Sequence, residues 1–90
     1  MADLDMVRRF AGADPDAGDG VLEACYRAAV AWYERAGVPA SVTGDLAEFW
    51  RCNLAAWFYD NRGADAEAHI PRYIVESVHQ LRPRRGGAGT

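Results

Sequence analysis

The sequence predicts an all-α protein, a small bundle of about four helices followed by a flexible C-terminal tail. Apolar residues recur at intervals of three and four along most of the chain, which is the spacing of a buried helix face. Glycine and proline lie at the ends of those stretches, where helices begin and stop. The chain contains neither a useful length of β-type alternation nor an internal repeat. These observations together favour helices over any other fold class.

Length, composition and charge limit what this chain can do. Its 90 residues allow one domain, and with 50% hydrophobic residues it is too apolar to be disordered. No stretch approaches the roughly 18 apolar residues of a membrane span, and the N-terminus lacks the apolar core of a secretion signal. A net charge of -3 without any lysine is unlike a protein that coats duplex DNA.

The N-terminal half predicts two helices. The first runs from about Asp3 to Ala11 and stops at Gly12, where an acidic loop rich in turn-forming residues begins. The second starts near residue 19 or 20 and ends at about residue 36, before a glycine and a proline. Its expected buried stripe is Val21, Cys25, Ala28, Ala29, Trp32 and Ala36. A second apolar flank is formed by Leu22, Tyr26, Val30 and Tyr33.

The C-terminal half predicts two more helices and a tail. The third helix begins at Asp45, which with Glu48 fits a capping box, or it is capped by Thr43, and Gly63 ends it. Its stripe is Leu46, Phe49, Trp50, Leu54, Trp57 and Phe58, and its alanines leave room for a close neighbour: Ala47, Ala55 and Ala56. The fourth helix begins at Pro71, and its seam is Ile70, Ile74, Val78 and Leu81. Residues 1–82 therefore form the helical domain, and residues 83–90 form an Arg/Gly-rich tail without core-forming side chains.

Chemically reactive residues are few and scattered. His69 and His79 are ten residues apart, with no other ligand at metal-binding spacing. Cys25 and Cys52 lie within helical patterns, which favours buried free thiols over a disulfide. Gly18 and Gly20 are not a phosphate-binding loop, because they lie in an acidic stretch that would repel phosphate. We therefore expect no catalytic site, no metal and no cofactor, and we expect that the protein is not an enzyme.

The chain carries more large apolar side chains than one small core requires. Apolar surface left over after folding usually marks an interface, so this surplus favours an assembly. Tyr33, Tyr59 and Tyr73 suit an interface, because a phenol can keep its hydroxyl in water. Residues 1–20 carry a net charge of -3 and residues 66–90 carry +2. These ends would suit head-to-tail association of identical subunits, or they are simply two solvated ends.

The most specific segments lie in the C-terminal half. The third helix ends in WFYDNR, a polar loop follows, and a helix that opens on Ile70-Pro71 closes on QLR. This order resembles the head–tail connector (adaptor) proteins of tailed phages, which carry a "WYENR"-like helix end, an "LPxxVxxLI"-like helix and a terminal "QLRG"-like signature. The resemblance covers roughly residues 3–82, since the short first helix, the acidic loop and the Ala- and aromatic-rich second helix match in layout. The chain departs from the pattern at Pro83, where the family has Gly, and in its shorter loop before the fourth helix.

The resemblance implies a structural protein of the virion. Such a subunit forms a cyclic homo-oligomer, a dodecamer in the virion, below the portal of the capsid. The ring extends the DNA channel and joins head to tail, so its other partners are the portal protein and the next connector or tail-terminator protein. DNA would pass through the lumen without sequence-specific binding, and no membrane is involved. The protein would be made in the cytoplasm of the host bacterium and reside at the head–tail interface.

Candidate contact residues follow from that reading and from the chain's charges and phenols. The basic residues that begin the tail are candidates for docking on the portal: Arg82, Arg84 and Arg85. Candidates for the contact between subunits are Asp14, Asp16, Asp19, Tyr33, Tyr59, Arg62 and Tyr73. The alternative is a small helical DNA-binding or regulatory module that presents Arg72 to DNA. The apolar seam of the fourth helix and its few basic residues make it a poor recognition helix.

Overall fold

The structure, a computed structural model, describes residues 4–12, 18–61 and 66–82. Within these ranges it is all-α, with four α-helices and no strand, as the sequence predicts. The elements in chain order are α1 (Leu4–Ala11), α2 (Asp19–Ala36), α3 (Asp45–Asp60), a short 3-10 helix (Ala66–His69) and α4 (Arg72–Leu81). The predicted tail, residues 83–90, lies outside the described residues.

The helix ends follow local backbone chemistry. α2 ends at Gly37, whose φ of 108° lies in the left-handed region, and the N–H of Val38 donates to the carbonyl of Tyr33 at 2.8 Å. α3 ends at Asp60, earlier than the predicted stop at Gly63. Asn61 leaves the helix with a φ of −125° and a ψ of 52°, and its side-chain amide donates to the last-turn carbonyl of Trp57.

The predicted capping box at the start of α3 is wrong. Gly44 precedes the helix without a side-chain capping bond, and Asp45 is already the first helical residue. The Glu48 carboxylate accepts a hydrogen bond from Tyr26 on α2. Glu48 therefore makes a tertiary contact with α2, and Gly44, which has no side chain, cannot cap the free N–H groups of α3.

The core lies where α2 and α3 pack together, with α1 and α4 against them. Small residues, among them Ala29, Ala47 and Ala55, are buried at this contact and allow the helices to approach closely. The buried core consists of Val7, Leu22, Cys25, Ala29, Tyr33, Val38, Ala47, Cys52, Leu54, Ala55, Phe58, Ile74, Val78 and Leu81. The predicted seam of α4 is confirmed, since its three helical members are in this cluster and Ile70 packs on it.

The buried faces of α2 and α3 are rotated from the predicted stripes. α2 buries Leu22, Cys25, Ala29 and Tyr33, so that Val21 and Ala28 of the predicted stripe are exposed. On α3 the predicted core residues Leu46 and Phe49 are exposed, whereas Trp50 and Trp57 are half-buried. Close packing through alanine and cysteine explains the rotation, because large side chains fit only at the edges of such a contact.

Tyr33 requires a correction. Its side chain is fully buried, and its hydroxyl lies 2.6 Å from Ser77 Oγ, which joins α2 to α4. Burial raises the pKa of this phenol above its usual value. An interior residue has no surface to offer a neighbouring subunit, so Tyr33 is a core residue and not the interface residue that was predicted.

None of the helices in the described residues combines the length and the apolar character needed to cross a membrane.

Candidate functional site

Four aromatic side chains from three helices form one continuous surface, here called the aromatic strip: Phe10, Phe49, Trp50 and Tyr73. The ring centroids of Phe10 on α1 and Phe49 on α3 are 5.5 Å apart, at an interplanar angle of 77°. Phe49 and Trp50 are 5.2 Å apart at 79°, and Trp50 and Tyr73 on α4 are 6.2 Å apart at 49°. The first two contacts are edge-to-face, an arrangement that is favourable between aromatic rings.

Most of the aromatic strip is open to solvent. Phe10 is 42% exposed, Phe49 39% and Tyr73 53%. Leu46, 50% exposed, lies on the same side of α3, three residues before Phe49. Single exposed apolar residues are ordinary, but a group that spans three helices is typical of a surface that binds a protein.

Trp50 adds a polar detail to this surface. Its indole Nε1 is buried, and none of the described residues provides an acceptor for its N–H. An unpaired buried donor costs roughly 1–3 kcal/mol, and Trp N–H groups at interfaces commonly find an acceptor on the partner. The aromatic strip therefore has one unused hydrogen-bond donor beneath an apolar surface.

A cleft of about 440 Å³ lies on another side of α3, between α2 and the loop that precedes α3. Its lining residues are Tyr26, Val30, Ala40, Thr43, Gly44, Asp45, Glu48 and Arg51. The Tyr26 hydroxyl donates to Glu48 Oε1 at 2.7 Å, and the Cys52 thiol donates to Glu48 Oε2 at 3.5 Å. Burial first, and then the hydrogen bond to Glu48, raise the pKa of Tyr26.

Arg51 is the buried cation of this cleft. Its side chain is only 5% exposed, and its Nη2 donates to the carbonyl oxygen of Pro39 at 3.2 Å. Its Nε is buried without an acceptor among the described residues. Arg51 therefore fixes the loop before α3 while one of its N–H groups stays unused.

The residues predicted for partner contacts do not form one cluster. Tyr73 belongs to the aromatic strip, Tyr59 is half-buried against the core, and Asp19 is exposed and pairs with Arg8 of α1 at 2.8 Å. The Arg82 side chain lies against Gly37 at the end of α2. The remaining candidates lie outside the described residues: Asp14, Asp16, Arg62, Arg84 and Arg85.

Sequence reasoning missed most of the aromatic strip because it assigned Phe49 and Trp50 to the core. The available signal was the width of the apolar stripe on the third helix, which is greater than one neighbouring helix can cover. The cleft could not be found in this way. Its residues come from two helices and a loop, and they meet only after α2 and α3 have packed.

Reactive side chains do not converge in the part of the chain that the structure describes. There, no group of three or more His, Cys, Asp or Glu residues could hold a metal ion. Cys25 and Cys52 are buried, as predicted, and His69 and His79 are exposed. The chemistry available at the aromatic strip is that of contact between apolar surfaces.

Comparison of the chain with protein-family models, with curated proteins and with solved structures found no match.

Proposed function

We propose that this protein is a head–tail connector of a tailed phage or a related particle. Its subunits form a ring below the portal, extend the DNA channel and join the head to the tail. Two lines support the proposal. The first is the order of the WFYDNR, Ile70-Pro71 and QLR segments, which resembles that family. The second is the aromatic strip, an apolar surface that the isolated subunit leaves open.

The aromatic strip is the observation that carries the proposal. Burying an exposed aromatic ring stabilises a contact by about 25 cal/mol for each Å² of apolar surface removed from water. Phe10, Phe49 and Tyr73 present such rings on three different helices, so one neighbour could cover all of them. In a ring each subunit uses two different faces, and the strip serves as one of them. Aromatic residues are also the side chains most enriched at the energetic centres of interfaces.

The alternative function, a DNA-binding or regulatory module, has less support on the described surface. Arg72, the basic residue that could face DNA from α4, lies 3.4 Å from the Glu76 carboxylate on the same exposed face. The next residue, Tyr73, is part of the aromatic strip. Phosphate binding needs a dense set of cations, and this face provides a neutralised pair.

The test is assembly of the purified protein with the portal protein of the same particle, viewed by negative-stain electron microscopy. We expect a ring of this protein on the portal with the portal's twelvefold symmetry. Tyr73→Ser should weaken ring formation strongly, since it removes an exposed ring from the strip. Val75→Ser is the matched control, because Val75 is 45% exposed on the other flank of the same helix. Circular dichroism should show that both variants keep the helical fold.

Two outcomes would contradict the proposal. One is a protein that forms no ring either alone or on the portal. The other is a Tyr73→Ser variant that assembles as well as Val75→Ser, which would leave the aromatic strip without a role. A gel shift with short duplex DNA at low salt distinguishes the connector from a DNA-binding module. A DNA-binding module would retard migration of the duplex whether or not the portal protein is present.

A further inference from the structure

We propose that the cleft between α2 and the start of α3 binds a small, singly charged carboxylic acid. Its carboxylate lies at the N-terminus of α3 and balances the buried charge of Arg51. This site goes beyond the proposed connector function and does not rest on it. Three features carry the inference: a buried cation without an ion pair, free N–H groups in the first turn of α3, and an open cleft that both of them border.

Arg51 is a buried cation whose charge no ion pair balances among the described residues. Its side chain is 5% exposed, and its Nη2 donates to the neutral carbonyl of Pro39 at 3.2 Å. Its Nε has no acceptor in the described part of the chain. The arginines that do have a carboxylate within ion-pair distance are all more exposed: Arg8, Arg27, Arg35 and Arg72. A buried charge without a counter-charge is costly, so an anion beside Arg51 would be stabilised.

The first turn of α3 adds hydrogen-bond donors at the same cleft. The carbonyl of Gly44 accepts the first helical hydrogen bond, from the N–H of Glu48 at 3.0 Å. The N–H groups of residues 45–47 therefore have no partner within the helix, and Gly44 has no side chain to cap them. Because α3 is 16 residues long, its N-terminus carries a partial positive charge that favours an anion. Gly44, Asp45 and Arg51 all line the cleft, so a carboxylate there would meet both sources of positive charge.

The charges of the cleft favour a singly charged anion over a doubly charged one. The carboxylates of Asp45 and Glu48 also line the cleft and would repel a phosphate dianion strongly. Both Glu48 oxygens already accept hydrogen bonds, from Tyr26 at 2.7 Å and from Cys52 at 3.5 Å, and Asp45 is exposed to water. These contacts and the solvent reduce the repulsion of a single charge. A carboxylate also has two coplanar oxygens, which match the guanidinium group of Arg51.

The size and the walls of the cleft limit the rest of the ligand. Its volume of about 440 Å³ falls within the range of roughly 300–1,000 Å³ that is usual for small-molecule sites. Val30 and Ala40 provide apolar wall, and Thr43 adds a hydroxyl next to Gly44. The ligand that fits these features is a short aliphatic carboxylic acid, with its carbon chain against Val30 and Ala40.

The test is a titration of the full-length, isotope-labelled protein with sodium butyrate, followed by NMR at constant ionic strength. We expect saturable shifts of the backbone amide signals of residues 44–47 and of the signal of the buried Nε–H of Arg51. Butyramide has nearly the same shape without the charge, and it should bind at least about tenfold more weakly. Sodium chloride at the same concentrations should produce no saturable shift.

Three variants test the charges separately. Arg51→Gln removes the cation and should weaken butyrate binding at least about tenfold. Asp45→Asn removes an exposed carboxylate that repels the ligand and should strengthen binding about threefold. Arg72→Gln is the matched control, because Arg72 pairs with Glu76 and neither residue lines the cleft, so the affinity should not change. Circular dichroism checks the fold of each variant, and if Arg51→Gln is unfolded, Asp45→Asn and butyramide decide the question.

Each of the following results would overturn the inference. The absence of saturable shifts, or shifts confined to the aromatic strip, means that the cleft takes no carboxylate. Butyramide that binds as tightly as butyrate, or a folded Arg51→Gln protein with unchanged affinity, means that the charge of Arg51 has no part in binding. Weaker binding by the Asp45→Asn protein means that the cleft selects a cation. Phosphate dianion that binds more tightly than butyrate means that the site is not one for a singly charged carboxylate.

Discussion

Two neighbouring residues of α3 separate two kinds of surface. Trp50 faces the aromatic strip and Arg51 faces the cleft, and each has a buried N–H without an acceptor in the described part of the chain. On the Trp50 side the surroundings are apolar and largely exposed. On the Arg51 side polar groups bond to one another, as Tyr26 does to Glu48 and Arg51 does to Pro39.

The difference shows what each side can offer a partner. Covering exposed rings with a protein surface lowers the free energy, so burial of the aromatic strip would stabilise a contact with another protein. The polar groups of the cleft already stabilise the monomer, so a ligand there must match charges and positions that folding has fixed. Three sides of α3 therefore differ: one packs in the core, one carries the exposed rings and one lines the polar cleft.

The largest expected effect comes from comparing the core side of α3 with its exposed side. Leu54→Ala should lower the free energy of unfolding by about 2–5 kcal/mol, since Leu54 is fully buried and its truncation leaves a cavity. Leu46→Ala, the same change at a position that is 50% exposed, should cost less than about 1 kcal/mol. Urea unfolding followed by circular dichroism measures both. Equal costs would mean that Leu46 is covered in solution, for example by a second subunit.

A smaller effect is expected at the cleft. Tyr26→Phe removes the hydroxyl that donates to the Glu48 carboxylate, and it should cost about 1–2 kcal/mol at neutral pH. Tyr73→Phe is the control on the aromatic strip, because that side chain is 53% exposed and should lose only about 0.5 kcal/mol or less. Unfolding in urea distinguishes them. A Tyr26→Phe protein as stable as the control would show that water replaces the hydrogen bond without loss.

The pH dependence of stability gives a third test. The pKa of Tyr26 is raised by burial, by the hydrogen bond to Glu48 and by the charge of that carboxylate. Above pH of about 10 an unfolded tyrosine loses its proton while the folded one keeps it, so the folded state binds more protons. Ionisation of Tyr26 should therefore not change the free energy of unfolding below about pH 10, and this free energy should fall as the pH rises further.

A Tyr26→Phe variant shows how much of that loss of stability comes from Tyr26. Tyr26→Phe should reduce the slope, and the remaining part should include Tyr33, whose pKa burial also raises. Unfolding midpoints in urea between pH 8 and 11, compared between the two proteins, measure the contribution. An identical slope in both would show that Tyr26 ionises equally readily in the folded and unfolded chains.

The smallest effect is expected at Trp50. Trp50→Phe gives up some buried apolar surface but also removes a buried N–H that has no acceptor among the described residues. These two changes oppose each other, so stability should stay within about 1 kcal/mol of the parent. Thermal unfolding is sufficient to measure this. A loss above about 2 kcal/mol would reveal a hydrogen bond from the indole and weaken the contrast between the two sides of α3.

Much of the fold could be predicted because the helices carry local signals. The start of α4 after Pro71 and its seam through Ile74, Val78 and Leu81 follow directly from residue spacing. The direction in which α2 and α3 face could not be predicted, because each helix has two adjacent apolar stripes and only packing selects one. Ala29 and Ala55 are buried as expected, whereas Val21 and Phe49, which were also expected to be buried, are exposed.

The candidate site was less predictable for a related reason. Tyr73, which was predicted for a subunit interface, is exposed, whereas Tyr33 is buried because its hydroxyl pairs with Ser77, 44 residues away in the sequence. Spacing cannot reveal such a pair. The same holds for Tyr26 and Glu48, which meet across the α2–α3 contact and give the cleft its polarity.

The contact of Arg82 with Gly37 has a mechanical consequence. A force that pulls on the chain beyond residue 82 first meets a guanidinium seated on the end of α2, and then the apolar seam of α4. The hydroxyl pair of Tyr33 and Ser77 lies behind that seam and also joins α4 to α2. The tension is therefore shared with α2, the longest helix among the described residues, before α4 alone has to resist it.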